Sequence, residues 1–168
     1  PLTNNAAERA LAVLHHALPL SLGELLCIVP DGHELAGRPV ISATEIVRHP
    51  LIGIDPNDPY GRIMAEIFSR QGLAYDIVIK ARFGTTVCSL VRAGLGIAVI
   101  DQFTVAHGSM QGITTIPIAE PTQFQTYVAI KNDKAPSVYA ETFVTLLRQE
   151  MDAVVRPRAP EARSRLAG

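Results

Sequence analysis

Between Leu51 and Ile100 apolar residues alternate between two periods, short continuous runs and helical stripes, and that alternation predicts strand, helix, strand, helix, strand. LIGI (51–54) is a four-residue apolar strand feeding the polar loop DPNDP (55–59). In YGRIMAEIFSRQG the apolar Tyr60, Ile63, Met64, Ile67 and Phe68 fall at i, i+3, i+4, i+7 and i+8, one helical face, with Gly72 as the stop. YDIVIKA (75–81) alternates as a strand, Thr85 and Thr86 are expected to cap a second helix through VCSLVRAG, and GIAVI (96–100) is a third strand. Such an order favours a small parallel α/β sheet with right-handed crossovers.

Before this unit, residues 8–19 fit neither period cleanly and read as strand after Leu14, and GELLCIVP (23–30) reads as a buried strand stopped by Pro30, Asp31 and Gly32. Ser42 and Glu45 form an S-x-x-E capping box opening a short helix that ends before Pro50. After it, strands are expected at 113–118 and 126–131. A long helix then starts at Pro136 and Ser137, with an apolar stripe of Tyr139, Phe143, Leu146, Leu147, Met151 and Val154.

Composition narrows the class. The chain has 168 residues, 48% hydrophobic and 18% charged, enough for one packed domain and against disorder as its main state. Fifteen Lys and Arg against sixteen Asp and Glu lack the basic surplus of a phosphate-binding domain, so direct nucleic-acid binding is not expected. The Arg-bearing stretch 155–168 reads as a disordered tail. Cys27 and Cys88 each sit in an apolar run, which fits a reduced, cytoplasmic protein, and no apolar run reaches the length of a membrane span. The start, PLTNNAAERA, carries no secretory pattern and no initiator Met, so the chain is read as a fragment.

Candidate chemistry is sparse. G-x-S-x-G is absent and Ser89 lies inside a helix without an obvious base. His15 and His16 would point to opposite faces of a strand, and His33, His49 and His107 stand alone in loops, so no catalytic residue, metal site or cofactor is assigned. Gly94 and Gly96 end a helix and open a strand, the reverse of a dinucleotide fingerprint. Ligands of parallel sheets lie at the strands' carboxyl ends, here Ile54-Asp55, Ala81 to Phe83 and Ile100 to Gln102, which converge on one edge. Asp55, Asn57 and Asp58 serve either as turn and cap residues or as ligand contacts, and the helix start at Thr85 and Thr86 offers N–H groups to a carboxylate.

VCSLVRAGLGIAVIDQFTVA (87–106), preceded by YDIVIKA, resembles the signature segment in the effector-binding domain of LysR-type transcriptional regulators. LLCIVPDGHELAGRPVISATEI (25–46) is similar to that family's inter-subdomain strand, turn and short helix, and PLIGID, ITTIPI, TYVAIK and the closing helix follow in the family's order. The resemblance covers about residues 13–154 and implies an α/β, periplasmic-binding-protein-like two-subdomain sensor fold whose first subdomain is incomplete. It divides the chain into late strands of subdomain I (1–28), subdomain II (29–131), a returning helix (132–154) and the tail. The family's winged helix-turn-helix, linker helix and first two strand-helix units have no counterpart here. By position-matching, a small effector would meet Ile54, Asp55, Pro56, Asn57, Tyr60, Phe83, Gly84, Thr85, Thr86 and Asp101. The wording of 87–97 is similar to regulators sensing lysine- or opine-like amino acids, which implies Asp55 or Asp101 as the ammonium's partner. DNA would be bound only through the missing domain, no membrane is involved, and the full-length protein is expected to be a homodimer or tetramer. The competing reading is a periplasmic-type solute-binding protein fragment, which shares the two-subdomain architecture. A small α/β enzyme is the third class and lacks a nucleophile-base pair.

Overall fold

The computed structural model describes residues 15–106, 111–131 and 135–155. Their elements are β1 (His15–Gly23), β2 (Leu25–Pro30), α1 (Ala43–Ile46), β3 (Leu51–Ile54), α2 (Pro59–Arg70), β4 (Ile77–Ala81), α3 (Gly84–Arg92), β5 (Ala98–Asp101), α4 (Gln102–Ala106), β6 (Ile113–Pro117), β7 (Phe124–Lys131) and α5 (Val138–Val155). The two strand-helix crossovers fall where the apolar pattern places them. Gly72 (φ 63°) and Gly94 (φ 76°) close α2 and α3.

The sheet is mixed rather than wholly parallel. β3 pairs β4 in parallel, and the backbone bonds Ile52 N–H to Ile97 O (2.8 Å) and Ile97 N–H to Pro50 O (3.0 Å) join β3 to the start of β5. β5 and β6 both pair β2 in antiparallel fashion, so β2 runs against the other strands in the order β4-β3-β5-β2-β6. A subdomain boundary after residue 28 would therefore cut a strand that pairs as a unit along Leu25–Pro30. An apolar run buried on both faces looks the same in either direction, which is why LLCIVP does not announce its orientation.

Both faces of this sheet are covered. Cys27 and Val29 pack with Leu51, Val99, Met64, Ile67 and Phe68 on the α2 side, while Ile28, Ile52, Ala98 and Ile100 pack with Val87 and Val91 of α3 on the other. Burial pushes the Cys27 thiol up to about 12, as expected of an inert core cysteine. The Ser42 capping box forms as read: Ser42 Oγ accepts from Glu45 N–H and Glu45 Oε2 accepts from Ser42 N–H at 3.0 Å. β1 and β7 make a separate two-stranded ribbon, with α5 against it. The stripe read along α5 is present in sequence but not buried, since no α5 residue lies in the core. The expected tail beyond Val155, the residues before His15, and His107 lie outside the described residues.

Candidate functional site

The carboxyl ends of β3, β4 and β5 meet at one edge of the sheet, and each is followed by a helix start. After β3, the Asp55 carboxylate turns back on its own loop: Oδ1 accepts from Asn57 N–H and from Asn57 Nδ2, both at 3.0 Å, and Oδ2 accepts from Lys80 Nζ of β4 at 3.2 Å. These donors, the Asn57 amide first, hold the Asp55 carboxyl below the usual carboxylate range against a small burial cost. Asp58 is the cap of α2, its Oδ1 accepting from Tyr60 N–H at 2.9 Å. A Cβ on Gly61 would stand 2.2 Å from Asp55 O, so only glycine lets α2 start this close to β3.

Behind this loop lies a buried polar cluster. Asp101 ends β5 with 4% exposure, and both of its oxygens are occupied. Oδ1 accepts from Thr104 N–H at 2.9 Å, capping α4, and Oδ2 accepts from Thr104 Oγ1 at 2.6 Å and from the Tyr60 hydroxyl. Burial, then the bond and negative charge of Asp101, raise the Tyr60 phenol above its ordinary value. Tyr60 also packs against the apolar clusters on both faces of the sheet. A Cβ on Gly84 would lie 2.9 Å from Thr104 Cγ2, so the start of α3 rests on the same threonine. One cluster thus sets the relative positions of α2, α3 and α4.

The start of α3 differs from the expectation. Phe83, not a threonine, is its cap residue, and no side chain caps the helix. Thr86 and Val87 N–H both donate to Phe83 O, at 3.0 and 3.1 Å. Helix geometry puts Thr85 and Thr86 inside the first turn, two and three residues past the cap position. Gly84 and Thr85 N–H have no acceptor among the described residues. Around them Phe83 is 63% exposed, the Arg82 guanidinium lies 5.9 Å over its ring, and Lys80 stands two residues back along β4.

Of the ten residues singled out in the sequence, Asn57, Phe83, Thr85 and Thr86 are exposed and Asp55, Pro56, Tyr60 and Gly84 half-buried, while Ile54 and Asp101 are buried. Thr104, Lys80 and Arg82 were not singled out. Thr104 was findable, because Asp-x-x-Thr after a strand is N-cap spacing. His33 and His49 are not isolated, since their rings meet edge-on at 5.1 Å beside Glu34. Among the described residues no three His, Cys, Asp or Glu gather as metal ligands, and no helix is long and apolar enough to cross a membrane.

A crossover sheet whose strand ends gather an uncapped helix start, two carboxylates and a phenol has the architecture in which α/β modules hold ligands. The family model for the LysR substrate binding domain matches residues 14–152, and the chain belongs to that family. It is 28% identical over 94 residues to the transcriptional activator protein LysR of Escherichia coli, covering 56% of this chain and 30% of that protein. HinK, a LysR family transcriptional regulator from Pseudomonas aeruginosa, superposes with TM-score 0.71 at 21% identity over 83% of this chain and 49% of that one. The Synechocystis CcmR regulatory domain in complex with 2-PG gives 0.66 at 24%, over 80% and 66%. The chain spans less than half the length of the curated relatives it matches. Its family is one of transcriptional regulators with a two-subdomain, periplasmic-binding-protein-like regulatory domain, which does not favour the solute-binding reading.

Proposed function

We propose that this chain is the effector-sensing part of a cytoplasmic LysR-type regulator, that it binds its ligand without transforming it, and that the ligand is a small amino-acid or opine-like carboxylate. Binding would bias a two-state arrangement read out by a DNA-binding domain outside these residues. The observation that carries the ligand class is the contrast at the sheet edge. Asp101 is enclosed and fully occupied, whereas the Gly84 and Thr85 N–H groups of α3 stand without an acceptor among the described residues. A carboxylate suits that helix start. The ammonium of the same molecule then falls to Asp55, which keeps an exposed side, and Asp101 acts by holding Tyr60 and Thr104 in place. A small ligand, 2-PG, occupies the related CcmR domain.

The test is thermal unfolding of the 168-residue chain with L-lysine, octopine and cadaverine, since a ligand of the folded state adds about 2.7 kcal/mol at a hundredfold excess over Kd. A saturable rise in Tm with lysine or octopine is expected, with no rise for cadaverine, which lacks the carboxylate. Thr85→Asp, which sets a negative charge in the first turn of α3, should abolish it. A rise with cadaverine, or a rise indifferent to Thr85→Asp, removes the carboxylate from α3.

A further inference from the structure

The β1–β7 ribbon and the mixed sheet are separate sheets, and the chain passes between them twice. Only Glu24 stands between β1 and β2, and residues 118–123 lead back from β6 to β7. The two passages are bonded to each other. Thr122 is buried, and its hydroxyl accepts from Leu25 N–H at 3.2 Å and donates to Leu25 O at 3.3 Å. Both passages are also gripped by the start of α4. Gln102 and Glu24 bond reciprocally: Gln102 Oε1 accepts from Glu24 N–H at 2.8 Å, and Gln102 N–H donates to Glu24 O at 3.0 Å. The next residue, Phe103, meets the Phe124 ring edge-on at 6.1 Å. A Cβ on Gly23 would stand 2.5 Å from the Phe103 ring and 2.7 Å from that of Phe124, so the two rings close over a position where the missing side chain lets the backbone approach.

We propose that α4 couples the strand-end cluster to this crossover, and that Gln102 is the positioning residue that carries the coupling. Asp101, Gln102 and Phe103 are consecutive. Asp101 faces the cluster, where it is held by the Tyr60 hydroxyl and by Thr104, while Gln102 and Phe103 hold the crossover. The bond from Thr104 N–H to Asp101 Oδ1 at 2.9 Å closes the turn on itself, so a displacement of Asp101 takes its two successors with it. Energetic coupling between separate places in a fold is carried by contiguous hydrogen bonds and packed rings of this kind. The use of the coupling rests on the sensing reading: a ligand seated at the start of α3, which abuts Thr104 at Gly84, biases how the ribbon is set on the sheet. Gln102 therefore needs no contact with the ligand in order to matter to the response.

Amide hydrogen exchange of the 168-residue chain tests this without any ligand, so that its failure and the failure of the thermal-shift test are separate results. Leu25 N–H reports the crossover, and Cys27 N–H reports the enclosed core, which opens only with the whole domain. Tyr60→Phe, a change made on α2, should speed exchange at Leu25 roughly threefold relative to Cys27 by loosening Asp101. Thr104→Val, which removes the other hydroxyl from Asp101 Oδ2, should do the same. In a Gln102→Ala chain neither change should alter that ratio further, the non-additivity expected of residues in one network. A merely structural Gln102 would shift the baseline at Leu25 and leave the response to Tyr60→Phe as it was. That outcome, or a ratio indifferent to both Tyr60→Phe and Thr104→Val in the unaltered chain, overturns the inference.

Discussion

Tyr60 does three things with one ring. Its apolar body packs against the cores on both faces of the sheet, its hydroxyl donates to the buried Asp101, and its position in the first turn of α2 is set by the Asp58 cap. Tyr60→Phe keeps the ring and deletes the bond, leaving the Asp101 carboxylate with Thr104 alone. A hydrogen bond to a charged group is worth about 1.5–3 kcal/mol, and that loss is expected in urea unfolding at neutral pH. The pH dependence follows from the raised phenol. The unfolded phenol titrates at its ordinary 10.0 and the folded one higher, so the unfolded chain gives up its proton first and unfolding becomes easier as pH rises. The hydroxyl's contribution is complete below pH 10 and is lost as pH climbs above it toward the folded value. The stability gap between the chain and Tyr60→Phe should therefore be flat through neutral pH and narrow above pH 10. A gap that persists undiminished there would mean that Tyr60 is not held as a neutral donor.

Among the helices that start at the candidate site, α3 is the one that forms without a side-chain cap. Asp58 caps α2 and Asp101 caps α4 at that same edge, so the uncapped α3 start stands apart from its neighbours. Phe83→Asp would supply the missing acceptor, contributing about 1 kcal/mol, the usual worth of such a cap. A rise in the urea midpoint is expected together with a loss of the carboxylate-dependent thermal shift, because the introduced carboxylate takes the N–H groups the ligand needs. Unchanged stability would show that the first turn of α3 is already satisfied.

The same contrast explains what could be read from sequence. The capping box at Ser42 and the amphipathic face of α2 are local patterns, legible from spacing alone, and so was the convergence of three strand ends on one edge. The caps Thr85 and Thr86 were misplaced because Gly84 enters the helix, two residues earlier than a cap at Thr85 allows. The reversal of β2 and the Asp101–Tyr60 bond depend on contacts between residues far apart in the chain, for which residue type carries no signal.

At the scale of the whole molecule, stability is distributed unevenly. β2 lies between β5 and β6 in the mixed sheet, and Cys27, Ile28 and Val29 are fully enclosed between α2 and α3. The β1–β7 ribbon has one incompletely packed helix, and none of the α5 residues is buried. Segments with few buried apolar contacts open locally at little cost, whereas a two-sided core opens only when the whole domain unfolds. Amide hydrogen exchange should separate the two: the amides of Cys27, Ile28 and Val29 exchange last, and those of Phe143 to Leu147 exchange early. Equal protection of α5 and β2 in dilute protein would contradict this division, because it would require cover for α5 that the ribbon does not provide.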